Sequence, residues 1–161
     1  MDIRKTCEAD IPAVMAIFDA ARAFMRAHGN MTQWPEGSPS ETQVREDIEH
    51  GCGYVCTEDG CVVATFAFIE GPDSTYAVIE DGAWHFDDPY SVIHRVASNG
   101  VVHGVAGACF EYCKQRAGHL RIDTHEDNIP MQGAITKNGF TRCGIIHIAD
   151  GSPRVAFDWH K

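Results

Sequence analysis

The chain has 161 residues, 44% of them apolar and 22% charged, an ordinary balance for one compact domain with a substantial core. Its net charge of −10, from 13 basic against 23 acidic residues, argues against a general nucleic-acid binder, which needs a basic face, and favours a cationic substrate. No apolar run is long enough to span a bilayer, and the opening MDIRKTCEAD lacks the basic-then-apolar layout of an export signal, so the odd set of seven cysteines is expected as reduced thiols in a cytoplasm.

In chain order, Asp2–Thr6 is a short strand candidate. Asp10 is placed to cap a helix with Pro12 in its first turn, and Ile11, Val14, Ile17, Ala21 and Phe24 recur at helical spacing up to His28-Gly29. MTQWPEGSPS is a loop rich in helix breakers. Ser40-Glu41-Thr42-Gln43 has the form of a capping box and opens a second helix that runs to about His50. GYVCTEDGCVVATFAFIEG contains two β-rich runs around Glu58-Asp59-Gly60, the pattern of a hairpin. TYAVIE is a further strand candidate, GAWHFDDP a loop, and YSVIHRVAS a buried strand.

SNGVVHGVAGACFEYCKQ (98–115) then runs from a turn through small residues into a helix. Gly104 and Gly107 at its start have two explanations: close packing of the helix, or a cradle of free backbone N–H groups that a phosphate can approach. HLRIDTH is a strand. Asn128 caps a short helix with Pro130 in its first turn and Asn138-Gly139 at its end, and the strands Phe140–Ile148 and Pro153–Trp159 follow, joined at Asp150-Gly151. The order is β-α-α-β-β-β-β-α-β-α-β-β. It predicts an α/β (α+β) single domain over 1–161 in which YSVIHRVAS and HLRIDTH form a parallel pair within a mostly antiparallel sheet.

This chain resembles the GNAT superfamily of acetyl-CoA-dependent N-acetyltransferases. The resemblance rests on the order of elements, on the I-R-K strand leading to D-I-P-A-V, on the small-residue loop before the central helix, and on DTHEDNIPMQGAITKNGF. In the last of these, Lys137, Gly139 and Phe140 match the family's pattern, whereas Met131 stands where the family has Ala. The resemblance implies a sheet splayed between its two central parallel strands, with acetyl-CoA lying in the splay and passing its acetyl group to an amine. It implies a pyrophosphate cradle from His103, Gly104, Val105, Ala106 and Gly107, although Val101 replaces the family's Gln or Arg. It also implies thioester contacts from the backbone of Val96, Ala97 and Ser98, and a pantetheine contact from Asn128, which the cap alone also explains.

Transfer to an amine needs a base. The splayed strand has no glutamate, but it has His94, which strand alternation places on one face with Val92 and Val96 and opposite Arg95. A core histidine is the plainer reading of the same position. Glu80 is a second candidate base. The acid position that the family fills with tyrosine holds Ile135 here, and His125 is the substitute candidate. Trp34, Tyr76, Trp84 and Tyr90, with acidic neighbours that include Asp47 and Asp87-Asp88, are candidates for an acceptor pocket for a small-molecule amine or amino-acid-like cation. Trp34 and Trp84 equally suit the pinning of loops to the core. The seven cysteines and nine histidines show no C-x-x-C and no H-E-x-x-H, so no metal site is expected. No membrane or nucleic-acid partner is expected, and the last two strands are candidates for a homodimer edge. The functional expectation is an acetyl-CoA-dependent N-acetyltransferase. The alternative is a GNAT-like module that binds CoA or a small ligand without turnover.

Overall fold

Hydrophobic periodicity and turn residues place most elements where the pattern predicts them. In the computed structural model, which describes residues 1–161, the chain runs β1 (Asp2–Lys5), α1 (Ile11–Ala27), α2 (Glu41–Glu49), β2 (Gly53–Glu58), β3 (Cys61–Glu70), β4 (Ser91–Ser98), α3 (Val105–Lys114), β5 (His119–Thr124), α4 (Ile129–Lys137), β6 (Thr141–His147) and β7 (Pro153–His160). One seven-stranded sheet has the order β1-β2-β3-β4-β5-β7-β6. Every pairing is antiparallel except β4 with β5, the predicted parallel pair. No helix is long and apolar enough to cross a membrane. All seven cysteines are free thiols.

The two faces of the sheet bury different helices. Phe110 of α3, Ile135 of α4 and Phe140 pack with Phe66, Ile93, Leu120 and Phe157 on one face. Ile11, Val14, Ile17 and Phe18 of α1 and Val44 of α2 cover Val55 and Ala97 on the other. Fully burying side chains of this kind contributes about 1.5–3 kcal/mol each. A third cluster of Tyr76, Val92, Ile146 and Ala156 lies beneath the 71–90 segment.

Four expectations change. TYAVIE is not a strand: the Asp73 carboxylate accepts hydrogen bonds from the Thr75 N–H and hydroxyl, and a single 3-10 turn forms at Ser74–Tyr76 instead. A side chain that satisfies the backbone locally competes with sheet pairing. Only Glu80 reaches the sheet, through an isolated bridge to Ile145. Asp10 does not cap α1 through its side chain, because a 3-10 turn at Glu8–Asp10 precedes the helix and the carboxylate turns back to accept from the Cys7 N–H at 2.9 Å and from the Arg4 guanidinium at 2.7 and 2.8 Å. Of the two final strands only β6 is an edge, since β7 pairs on both sides. The alternation along β4 also breaks, at Arg95–Val96 opposite Phe66.

The 71–90 segment approaches β6 closely at Gly82. Its φ is +150°, and a Cβ there would lie 1.9 Å from the Cys143 carbonyl oxygen. Gly82→Ala is expected to lower stability by roughly 2–3 kcal/mol, a fall in Tm of about 6–10 °C in a calorimetric scan, because both the backbone angle and the contact must change.

Candidate active site

The site begins at an irregularity in β4. Thr65 pairs with Ala97 and Ala67 with His94, so Arg95 and Val96 stand opposite the single residue Phe66. Arg95 adopts φ 55°, a left-handed conformation that costs a branched or long side chain about 1–2 kcal/mol. Its guanidinium meets the Asp47 carboxylate of α2 in a two-pronged pair, Nε–Oδ2 3.1 Å and Nη2–Oδ1 2.7 Å, with both side chains largely buried. The bulge resets the alternation. Val92 and His94 share the face that Tyr76 packs on. Val96 turns to the opposite face, against the cluster that holds Ile93, and Ala97 turns to α1. Val96 is therefore not on the face of His94, contrary to a uniform period of two.

The parallel pairing of β4 with β5 stops at Ile93↔Ile122. Beyond that point β5 continues with β7 alone, and the β4 backbone from His94 to Ser98 has no strand partner on its β5 side. A cavity of about 390 Å³ occupies the gap. It is walled by Trp34 and its neighbours between α1 and α2, by Ile93–Val96, by Ile122–Thr124, by Asn128 and Met131 of α4, and by Ile148, Asp150 and Arg154 around the β6–β7 turn.

His94 lies in this wall. Its Nε2 is 2.9 Å from Asp73 Oδ2 and its Nδ1 is 3.9 Å from Asp123 Oδ2. The Tyr76 hydroxyl donates to the same Asp123 oxygen at 2.6 Å. The His94 hydrogen bond holds the Asp73 carboxyl well below the usual carboxylate range, against the opposing effect of burial and with help from Thr75. Burial, reinforced by the Asp123 charge, drives the Tyr76 phenol well above its usual value, so it remains a donor. Asp73, Asp123 and Arg154 escape a reading of the sequence because they sit 21, 29 and 60 positions from His94. No local spacing rule joins them.

Beyond the end of β4, outside the cavity wall, α3 starts at Val105 behind Gly104, which has φ 77° and no side-chain cap. The first helical bond runs from Ala108 N–H to Gly104 C=O. The N–H groups of Val105, Ala106 and Gly107 therefore have no acceptor within the helix. Gly104 and His103 are exposed, and so is Val101. A Cβ on Gly107 would lie 3.2 Å from Asn138 Oδ1 at the end of α4. The packing explanation holds for Gly107, which lets two helices approach, whereas a Cβ on Gly104 would meet nothing within 4 Å.

Asn128 caps α4 through Oδ1 to the Met131 N–H, 3.2 Å, and donates from Nδ2 to Gln33 Oε1, 2.9 Å. Trp34 lines the cavity and also packs edge-on against Phe18. The other aromatic candidates lie elsewhere. Tyr76 is 1% exposed and is core. Trp84 and Tyr90 clasp the Arg121 guanidinium, each ring centroid 4.0 Å away, and Trp84 Nε1 donates to the Tyr76 carbonyl. Both rings anchor the 71–90 segment because a buried guanidinium needs π-faces or acceptors around it. Glu80 is exposed and is tied to β6 by its backbone, outside the cavity. His125 is buried with both ring nitrogens engaged: Nδ1 accepts from the Asp127 N–H and Nε2 lies 3.2 Å from the Thr32 hydroxyl. Ile135 is fully buried in the core. Asp47 is neutralised by Arg95 and offers no free charge to a ligand.

The sequence shows no metal motif, yet folding brings His85, Cys143 and Asp158 together with their ligand atoms within 4.8 Å of one another, a set that could hold a metal ion. In this structure Asp158 accepts from the His85 N–H at 2.8 Å and lies 2.7 Å from its Nδ1, and burial pushes the Cys143 thiol up to about 12. The trio is not part of the cavity wall.

A sequence profile of the Acetyltransferase (GNAT) family matches residues 15–140. A solved GNAT-family acetyltransferase from Streptococcus agalactiae is 30% identical and superposes with a TM-score of 0.89, covering 99% of this chain and 95% of that one. A ribosomal-protein-alanine N-acetyltransferase from Brucella melitensis has the same fold at 18% identity, with a TM-score of 0.66 over 100% of both chains. So does an aminoglycoside acetyltransferase solved with coenzyme A and kanamycin, at 18% identity, with a TM-score of 0.64 over 99% of this chain and 94% of that one. None of the curated proteins matches this chain.

The lowered Asp73 carboxyl has a stability signature. A carboxyl depressed on folding stabilises the protein fully above its unfolded value, near pH 4, and that contribution disappears as pH falls further. Asp73→Asn is expected to be less stable than the unaltered chain in urea at pH 6, with the gap narrowing from about pH 4 downward. A gap of constant size down to pH 3 contradicts the role given to this pair.

Proposed function

Since the chain belongs to the GNAT family of acetyltransferases and is an N-acetyltransferase, we propose that it passes the acetyl group of acetyl-CoA directly to a primary amine of a small molecule, with His94 as the base. The observation that carries this reading is the imidazole of His94, held by Asp73 in the wall of the cavity one residue beyond the point where β4 and β5 part.

Acetyl-CoA suits the start of α3 and the open edge of β4. The free N–H groups of Val105–Gly107 suit its pyrophosphate, and the unpaired β4 edge suits the pantetheine and thioester. In this reading His103 and Gly104 belong to the pyrophosphate cradle and the Val96–Ser98 backbone lies along the thioester. Asn128 binds the pantetheine only with capacity left over from its bonds to Met131 and Gln33.

The amine arrives as an ammonium ion. With Nε2–H donating to Asp73, the lone pair of His94 is on Nδ1, which takes one ammonium proton. The 3.9 Å between Nδ1 and Asp123 is too long for a direct hydrogen bond, and this carboxylate, which also accepts from Tyr76, is placed to steady the ammonium and then the imidazolium by its charge. The neutral nitrogen attacks the thioester carbonyl, whose oxygen gathers charge beside backbone N–H groups. The C–S bond breaks as the amide forms. The second proton lost from nitrogen balances the CoA thiolate as thiol. Neither Ile135 nor His125 provides an acid, so the thiolate leaves without a dedicated donor.

His94→Ala is expected to reduce kcat about 100-fold while leaving the acetyl-CoA KM within a few-fold, measured by free-thiol release against a panel of amines. Undiminished turnover rejects His94 as the base. Tight binding of acetyl-CoA with no amine ever acetylated rejects amine acetylation itself.

A further inference from the structure

Arg154 is the one cation of the cavity wall without a counter-charge. It is 5% exposed and belongs to β7, whose place inside the sheet holds it still. Two of its N–H groups donate to backbone carbonyls, of Pro153 at 2.9 Å and Gln33 at 3.2 Å. No carboxylate lies within 4.0 Å, whereas the other arginine of this wall, Arg95, is fully matched by Asp47. Asp123 and Asp150 act on Arg154 only across a longer distance, and Asp123 already receives the Tyr76 hydroxyl. The guanidinium does not reach the Trp84–Tyr90 clasp either, which Arg121 fills. A buried cation is costly unless it is paired, and a planar guanidinium with N–H groups to spare suits a carboxylate.

The same cavity thus has two poles. His94, with Asp73 and Asp123 behind it, suits a cationic amine, and Arg154 suits an anion. Trp34, Met25 and Ile148 supply apolar wall between and around them. A volume of about 390 Å³ is of the size that takes a small ligand. We propose that Arg154 is a carboxylate-binding residue and that the acceptor carries a carboxylate and a primary amine on one molecule, as a free amino acid does. The inference rests on the acetyl-transfer reading above and narrows its acceptor class.

The test uses matched acceptors that differ only in the carboxylate: L-phenylalanine with phenethylamine, L-methionine with 3-(methylthio)propylamine, and L-arginine with agmatine. CoA release is followed with the full chain and acetyl-CoA. In at least one pair the carboxylate-bearing member is expected to have a kcat/KM about 100-fold above its partner. Arg154→Gln is expected to collapse that ratio to within about 3-fold, chiefly through KM, and Arg154→Lys to restore part of it by keeping the charge. Calorimetric binding of acetyl-CoA to each variant reports whether the cleft is intact. If Arg154→Gln does not fold, the comparison of pairs on the unaltered chain still decides. Equal or better turnover of the decarboxylated amines overturns the carboxylate proposal and leaves acetyl transfer standing. So does an unchanged ratio in Arg154→Gln. Acetyl-CoA binding with no member of any pair acetylated overturns the amino-acid proposal, and the broader amine panel then decides separately whether acetyl transfer survives.

Discussion

The bulge at Arg95 is the constraint on which the rest of the site depends. One extra residue in β4 directs His94 and Arg95 to the same side of the sheet, and beside it β4 leaves β5 after three paired positions. A left-handed arginine is unfavourable in isolation. It persists because the side chain ends in a two-pronged, largely buried pair with Asp47, which also docks α2 against the strand. The ion pair is therefore more than a surface bridge, whose usual contribution is small. It lies beside the point where β4 and β5 part and the cavity opens.

The 71–90 segment delivers the second element of the site. It has almost no regular structure, and its order comes from long-range contacts. Arg121 rises from β5 between the rings of Trp84 and Tyr90 and donates to the Phe86 carbonyl. The Tyr90 hydroxyl accepts from the Asp73 N–H, and Tyr76 reaches under the segment to Asp123. The same side chains that keep this long connection folded thus carry Asp73 to His94. Aromatic residues that look like a binding surface in the sequence are the clamp that holds this segment in place.

The opposite wall is tied down through Gln33. Its side-chain oxygen accepts from Asn30 and Asn128, and its carbonyl accepts from Arg154. His125 adds a contact to Thr32. The loop between α1 and α2, β7 and the start of α4 therefore meet at one residue. These hydrogen bonds hold three elements in register around the cavity.

Much of the fold was legible from local chemistry. The Asp59-Gly60 turn, the Ser40 and Asn128 caps, the helical stripe of α1 and the strand–helix–strand unit around Gly104 each follow from rules that act over a few residues, and the structure keeps them all. His94 was legible as a candidate because its place in β4 and its chemistry are both local facts. The rest was not. Strand alternation carried Val96 to the wrong face because a bulge depends on a partner strand and on an aspartate 48 positions away. TYAVIE resembled a strand because propensity does not see the Asp73 turn. Asp73, Asp123 and Arg154 come together only when β5, β7 and the 71–90 segment close around β4. Propensity and periodicity act between neighbours along the chain, whereas the charges of this cavity are neighbours only across it.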